Sequence, residues 1–243
     1  MPAFSSQSGF DVRFEWGERG LRALSAEAGA FAIVDVLSFS TCVALACARG
    51  AEVLPYPWKD GGAAAYAAAR GAALAGARGA QGALTLSPES LVAVRAGTRL
   101  VLPSPNGSEL SFAAAELGPV FAGSLRNAAR VAERLAALAG PVAVIAAGER
   151  WPDDSLRPAL EDLVGAGAIV ARLPGSLSPE AALARAAFER VAGALERTLF
   201  ECASGRELVE RGFPRDVALA AELDASPVAP RLAGDAFAAE PPP

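Results

Sequence analysis

One carboxylate interrupts an otherwise apolar stretch of the chain, FAIVDVLSFST at residues 31–41. It belongs to Asp35, and the hydroxyls of Ser38, Ser40 and Thr41 follow it. A charge buried among apolar residues is strongly destabilising unless a partner neutralises it or hydrogen-bonds to it. From the residues alone, the partner of Asp35 is a proton, an arginine or a metal ion.

A second polar group lies in SPNGSEL, at residues 104–110. Asn106 and Gly107 stand between a predicted strand and a predicted helix, and Ser108 is placed as the helix N-cap. Free backbone amides at a helix N-terminus, next to a glycine that allows close approach, suit a phosphate or a sulfonate. An ordinary Asn-Gly turn followed by a capping serine explains the same residues.

The segment GSLRN opens another predicted helix, with Ser124 as its N-cap and with Arg126 and Asn127 in the first turn. A guanidinium at this position can bind an anion with two hydrogen bonds. A solvated first-turn arginine is equally consistent with the sequence.

Adjacent acids at Glu161 and Asp162 suggest a site for a hard cation. Mg²⁺ takes one or two protein carboxylates and completes its octahedron with water and substrate phosphate. Consecutive helical residues point about 100° apart, so at most one of this pair shares a ligand with Asp35. A solvated acidic face is the alternative. Three further acids precede the pair: Glu149, Asp153 and Asp154.

Short β-branched runs alternate with alanine-rich helical stretches, a pattern typical of a layered α/β/α fold with a largely parallel or mixed central sheet. The predicted strands are residues 32–37, 52–55, 99–102, 120–122, 142–146 and 169–172. The predicted helices are residues 41–49, 62–75, 109–117, 125–139, 159–165, 179–196, 205–211 and 216–222. We expect one domain over residues 1–243, with a helical part at about 174–232 and a flexible tail at 233–243. Because ligands of such folds bind where strand-to-helix loops gather, the polar loops are expected to converge.

Composition excludes several kinds of chemistry. The chain has no histidine, so histidine triads, phosphohistidine and imidazole–zinc sites are absent. Three cysteines without C-x-x-C spacing, Cys42, Cys47 and Cys202, indicate buried small hydrophobes rather than disulfides or zinc ligands. A net charge of -5 without a basic stripe argues against nucleic acid as the main ligand.

No apolar run approaches the ~20 residues that span a membrane, and no secretory signal is visible, so a cytoplasmic location is expected.

Several segments, taken in order, resemble the 2-phosphosulfolactate phosphatase family. They are VDVLSFSTCVALACARGAEVLP, AGAR, LSPESL, VLPSPNGSEL, AGSLRNAARVA, VIAAGER with the later LED, and SGRELVERGFPRDVALAAELDASPVAPRL. The resemblance implies an α/β fold and Mg²⁺-dependent hydrolysis of a phosphate monoester on a small sulfonated acid. In the family the product, sulfolactate, feeds coenzyme M biosynthesis.

Together with the loops described above, this resemblance implies a set of site residues. Asp35 and Asp162 would be catalytic, and Asp35, Glu161 and Asp162 would hold Mg²⁺. The expected substrate-binding residues are Ser38, Ser40, Thr41, Ser104, Asn106, Gly107, Ser108, Ser124 and Asn127. We expect a small phosphorylated anion as the partner, and the apolar composition is compatible with a homo-oligomer.

Four positions depart from the family pattern. Ser38 stands where the family has arginine, Ala77 where it has glutamate, Leu86 where it has asparagine, and Pro105 where it has threonine. Losing one charged hydrogen bond to a phosphoryl group costs roughly 2–4 kcal/mol of transition-state stabilisation. The alternative hypothesis is therefore a catalytically weakened family member that serves as a small-anion-binding or interaction protein.

Overall fold

The computed structural model describes residues 3–57 and 61–240. Its strands are β1 (Val12–Trp16), β2 (Ala30–Val34), β3 (Glu52–Pro57), β4 (Ala73–Leu74), β5 (Arg99–Ser104), β6 (Val120–Gly123), β7 (Val142–Ala146), β8 (Glu149–Arg150), β9 (Leu156–Arg157), β10 (Pro230–Ala233) and β11 (Ala236–Ala239).

The helices are α1 (Gly17–Leu24), α2 (Phe39–Ala48), α3 (Ala63–Ala69), α4 (Pro88–Leu91), α5 (Gly107–Ala115), α6 (Ala128–Ala136), α7 (Leu160–Val170), α8 (Pro179–Val191), α9 (Leu195–Glu201), α10 (Ala203–Glu210) and α11 (Pro214–Ala221). Three short 3-10 turns lie at Ala3–Ser6, Leu125–Asn127 and Ala192–Ala194. In the part of the chain that the structure describes, no helix is long and apolar enough to cross a membrane.

Within the described residues, nine strands form one sheet in the order β1-β7-β2-β6-β10-β11-β3-β5-β4. Strands β1, β7, β2 and β6 pair in parallel, and so do β3, β5 and β4. The hairpin of β10 and β11 lies between these two parallel blocks and pairs antiparallel with both. The prediction of a layered α/β fold with a largely parallel or mixed sheet is confirmed.

Apolar side chains cover both faces of the sheet. Along β2, Ala32 and Val34 pack into one core cluster, whereas Phe31 and Ile33 pack into a second one on the other face. Alternate side chains of a strand point to opposite faces, so a strand with helices on both sides reads as one continuous apolar run. This is why β2 is recognisable in the sequence, and why the first polar residue after it, Asp35, is conspicuous.

One predicted strand is wrong, because residues 169–172 complete helix α7 and the turn that follows it. The helix packs between the sheet and α8, so its side chains are apolar all round and their spacing does not separate helix from strand. Gly167 permits this close packing, since a Cβ atom there would lie 2.0 Å from the carbonyl oxygen of Ala184.

The prediction of a helix at residues 62–75 is also too long. Helix α3 ends at Ala69, and Gly71, with φ of +59°, turns the chain into strand β4. A positive φ is easily adopted only by glycine. The helix predicted at residues 179–196 ends as α8 at Val191 and is followed by a 3-10 turn and by α9. The remaining predicted helices are present with their ends shifted by a few residues.

The predicted flexible tail is wrong at residues 236–239, which form strand β11 inside the sheet. Phe237 is fully buried there, and its ring lies 6.1 Å from the ring of Phe39, measured between centroids. Its carbonyl oxygen also accepts a hydrogen bond from the thiol of Cys47. The expectation that the three cysteines are buried is confirmed. Residues 241–243 of the predicted tail lie outside the described residues.

We predict that Phe237→Ala lowers the free energy of unfolding by about 3–5 kcal/mol, because it leaves a cavity between β11 and α2. Chemical denaturation of the purified protein measures this change. Leu183→Ala is the control, since Leu183 is 71% exposed and should change stability little. A loss below about 1 kcal/mol for Phe237→Ala would show that the C-terminal hairpin is not part of the stable sheet.

Candidate active site

Asp35 lies directly after β2 and is buried, with 6% of its surface exposed. One carboxylate oxygen, Oδ1, accepts a hydrogen bond from the backbone amide of Phe39 at 3.0 Å. The other, Oδ2, accepts one from the amide of Gly107 at 2.9 Å, and the hydroxyl of Ser104 lies 3.5 Å from it. The carboxylate therefore joins the N-termini of helices α2 and α5.

Gly107 is required at this junction. A Cβ atom on residue 107 would lie 2.4 Å from a ring carbon of Phe39 and 2.8 Å from Oδ2 of Asp35. The loop after β5 thus reaches Asp35 although β5 and β2 belong to different blocks of the sheet.

Asp162 also holds loops together. Its Oδ1 accepts a hydrogen bond from the amide of Val36 at 2.7 Å, and its Oδ2 accepts one from the amide of Gly148 at 2.8 Å. The neighbouring Glu161 is equally buried, and its Oε2 accepts a hydrogen bond from the thiol of Cys202 at 3.4 Å. The two adjacent acids are therefore an interior pair and not a solvated acidic face.

Glu149, in strand β8, is a further acid at this site. Its Oε2 accepts a hydrogen bond from the side-chain amide of Asn106 at 3.0 Å. The sequence points to Glu149 only as one of several acids in AGERWPDD. What distinguishes it is its place beside Asp35 on the wall of one cleft, which depends on the tertiary structure.

Burial and the neighbouring negative charges raise the pKa values of three carboxyl groups, those of Asp35, Glu149 and Asp162. Loss of hydration raises the pKa of Asp35 to about 6, against the opposing effect of the two amides, and the charge of Glu161 adds to the rise. Burial and then the charge of Asp35 raise the pKa of Glu149 to about 7. Burial, followed by the charges of Asp35 and Glu161, raises the pKa of Asp162 well above its ordinary value.

We refer to these four side chains, Asp35, Glu149, Glu161 and Asp162, as the acid cluster. Among the residues that the structure describes, no arginine forms an ion pair with any of them. No three of the described acids and cysteines converge as a ready-made cation site either. Mg²⁺ needs only one or two protein carboxylates, so the oxygen donors of this cluster fit such an ion.

A cleft of about 750 Å³ opens over two members of the acid cluster, Asp35 and Glu149. Four of the predicted site residues line it, namely Asp35, Ser38, Ser104 and Asn106, together with Glu149. Its walls also carry Ala77, Arg78 and Pro105. Helix α10 and the residue after it contribute Ser204, Glu207, Leu208 and Arg211. The structure thus brings together residues from the loops after β2, β4, β5 and β7.

Arg78 supplies a positive charge that the sequence did not assign to the site. Its Nη2 donates a hydrogen bond to the hydroxyl of Ser38 at 3.1 Å. Its Nη1 pairs with the fully buried carboxylate of Asp216. The AGAR segment was visible as a family-like motif, but nothing in its spacing indicates which loop it contacts.

Other predicted substrate-binding hydroxyls do not line the cleft. Ser40 donates to the carbonyl oxygen of Ile33, and Thr41 donates to that of Val36. Ser108 donates to the carbonyl oxygen of Leu102 at 2.9 Å. All three side chains are fully buried, and these hydrogen bonds fasten the site loops to the strands.

Ser124 and Asn127 form a capping box. The Ser124 hydroxyl oxygen accepts a hydrogen bond from the backbone amide of Asn127, and Oδ1 of Asn127 accepts from the backbone amide and the hydroxyl of Ser124. Both are fully buried, and the amide of Asn127 also donates to the carbonyl oxygen of Ala122. Arg126 donates to the carbonyl oxygen of Leu219. This loop therefore fixes β6 to the C-terminal helices, and its role in substrate binding stays a prediction.

A sheet with helices on both faces, buried acids and a cleft that also holds a fixed guanidinium is the arrangement of an α/β enzyme for a small anionic substrate. The sequence profile of the family described as 2-phosphosulpholactate phosphatase matches residues 21–235. The chain belongs to this 2-phosphosulfolactate phosphatase family. It is 32% identical over 214 residues to a probable 2-phosphosulfolactate phosphatase of Carboxydothermus hydrogenoformans, with 85% of this chain and 87% of the relative covered.

We predict that the metal-free protein loses stability as the pH rises from 5 to 8. Glu149 is protonated in both states below about pH 4.5, but between that value and about pH 7 only the folded state retains the proton. Stability is therefore fully present at low pH and is lost as the pH rises through about 7. Glu149→Gln keeps an acceptor for Asn106 and should reduce this loss by roughly 2–3 kcal/mol.

Denaturant unfolding at several pH values, in the presence of a chelator, measures the effect. Glu116→Gln is the control, because Glu116 is exposed on the surface. An identical pH dependence for the wild type and Glu149→Gln would contradict the assignment of a raised pKa to Glu149.

Proposed function

We propose that this protein catalyses the Mg²⁺-dependent hydrolysis of 2-phosphosulfolactate to sulfolactate and inorganic phosphate. The observation that carries the proposal is the acid cluster: three of its four carboxyl groups are buried, Asp35 and Glu149 line the cleft, and among the described residues no arginine forms an ion pair with any of the four. Membership of the family supports the choice of substrate.

Asp35 and Glu161 are the residues that would hold Mg²⁺. The charge of Glu161 is close enough to Asp35 to raise its pKa, so the two carboxylates share one region of space. Asp162, unlike Asp35, does not line the cleft, and its two oxygens hold the amides of Val36 and Gly148, which favours a positioning role for that residue. When bound, the ion would neutralise phosphoryl charge and provide a Lewis acid.

The loop after β5 supplies groups for the phosphoryl oxygens. The Ser104 hydroxyl and the Asn106 amide both lie on the cleft wall next to Asp35. Donors that are already fixed in place cost no reorganisation when charge develops in the transition state. The amide of Gly107 is occupied by Asp35, so it acts by orienting that carboxylate.

Glu149 is suited to protonate the leaving alcohol oxygen. An ester oxygen of a secondary alcohol is a poor leaving group unless it receives a proton, and a general acid works best when its pKa is near the working pH. With a pKa raised to about 7, Glu149 is about half protonated in neutral solution, whereas an ordinary glutamate has lost its proton. Its hydrogen bond with Asn106 fixes the carboxyl group on the cleft wall.

The alternative of a catalytically weakened protein depends on the missing arginine at position 38 and the missing glutamate at position 77. Both positions line the cleft, and the guanidinium of Arg78 reaches the hydroxyl of Ser38 there. A positive charge is therefore available next to Ser38, the position where the family has arginine. This contact favours an active enzyme over the alternative.

We predict that Asp35→Asn lowers kcat/KM for 2-phosphosulfolactate by roughly 10²- to 10³-fold, because it removes the negative charge that would hold Mg²⁺. Phosphate release from 2-phosphosulfolactate and from a panel of small phosphate monoesters, with Mg²⁺ and with a chelator, measures this effect.

Asp11→Asn is the matched control, since Asp11 is a surface acid that bonds to Ser176 away from the cleft. Circular dichroism and thermal unfolding would establish that both variants fold. The proposal fails if the wild type releases no phosphate from any ester, or if release is unaffected by both the chelator and Asp35→Asn.

A further inference from the structure

Arg78 is held on three sides in the cleft wall. Its guanidinium pairs with Asp216, donates to Ser38 at 3.1 Å, and stands 5.4 Å from the centroid of the Phe213 ring. The side chain is 13% exposed, and it lines the cleft. These contacts come from two distant parts of the chain, the loop after β2 and the start of helix α11, so the position of the guanidinium is fixed by tertiary structure.

The carboxylate of Asp216 is itself tightly held. Its Oδ1 accepts hydrogen bonds from the Ser87 hydroxyl at 2.6 Å and from the Glu89 amide at 3.0 Å. A buried ion pair is weak evidence for stability, because desolvation offsets most of the attraction between the charges. Such a pair on a cleft wall is better explained as preorganisation of the arginine.

Arg78 retains donors for a ligand. A guanidinium has five N–H donors, and the contacts with Asp216 and Ser38 use one on each terminal nitrogen. The second arginine of the cleft, Arg211, is exposed and pairs with Glu207 one helical turn away, so it is not fixed in this way.

The local charge indicates which anionic group Arg78 receives. Pairing with Asp216 leaves little net positive charge, which suits a group with one negative charge, such as a sulfonate or carboxylate. A phosphoryl group carries up to two charges and is better matched by a divalent ion at the acid cluster. Ser38 follows Asp35 by three residues, so one substrate of small size can reach both regions.

We propose that Arg78 is the specificity residue that binds the sulfonate or carboxylate group of the substrate that is not transferred, and that Asp216 is its positioning residue. This inference rests on the proposed function.

The first test compares two substrates. Arg78→Lys retains a charge but loses the forked donors, and Asp216→Asn turns a donor towards the guanidinium. For 2-phosphosulfolactate, each variant should raise KM by roughly 10- to 100-fold while kcat changes by less than about 3-fold. For isopropyl phosphate, which lacks a second anionic group, kcat/KM should change by less than about 3-fold. Equal losses on both substrates, or no loss on either, would overturn the inference.

The second test is independent of turnover. Calorimetric titration with sulfolactate should show binding to the wild type that weakens at least about 10-fold in Arg78→Lys and in Asp216→Asn. Arg172→Lys is the matched control, because Arg172 also pairs with an acid, Asp224, and stands over a phenyl ring, that of Phe188, outside the cleft. Thermal unfolding would establish that each variant folds.

The two tests distinguish the inference about Arg78 from the proposed phosphatase reaction. Sulfolactate binding that depends on Arg78, without phosphate release from any ester, would support the inference about the anion site and refute the proposed reaction. Phosphate release by the wild type, together with sulfolactate binding that is unchanged in Arg78→Lys and Asp216→Asn, would support the proposed reaction and refute the inference about the anion site. If the wild type does not bind sulfolactate, the inference is wrong.

Discussion

Four carboxyl groups lie close together after strands β2 and β7 and at the start of helix α7, and they repel one another there. Three of them are buried and Glu149 is half-buried, and among the described residues no guanidinium forms an ion pair with any of them. Their ionised forms are tolerated because backbone amides are directed at them, two at Asp35 and two at Asp162. The N-termini of helices α2, α5 and α7 meet at these carboxyl groups. The raised pKa values of Asp35, Glu149 and Asp162 indicate that the amides offset the loss of hydration only in part.

The C-terminal helices complete the site although they follow the last strand of the parallel blocks. Helix α11 carries Asp216, which holds both Arg78 and the start of helix α4. Cys202, which precedes α10, donates its thiol to Glu161. Hairpin β10–β11 then closes the gap between the two blocks of the sheet. These segments therefore stabilise the cleft as well as the core.

Much of this arrangement could be predicted from the sequence, because it depends on local patterns. Asp35 stands out at the end of an apolar run, and Asn106 and Gly107 stand out between a strand and a helix. The Arg78–Asp216 pair joins residues 138 positions apart, and no periodicity or spacing connects them. Strand β1 is not apparent from the sequence because its VRFEW segment carries two charged residues. One of them, Arg13, is fully buried and bonds to Glu27 and to carbonyl oxygens. The sequence suggests that the hydroxyls of Ser40, Thr41 and Ser108 bind substrate, but in the structure they donate hydrogen bonds to backbone carbonyl oxygens.

The acid cluster and Arg78 give the two ends of the cleft different charge. At one end, unpaired carboxyl groups favour a cation and, through it, a phosphoryl group. At the other, a guanidinium already paired with Asp216 offers directed hydrogen bonds with little net charge. A substrate with a phosphate and a second, singly charged group satisfies both ends at once, whereas inorganic phosphate or a simple alkyl phosphate satisfies only the first. Selectivity in this protein would then come from geometry at Arg78, while the chemistry depends on the carboxyl groups around Asp35.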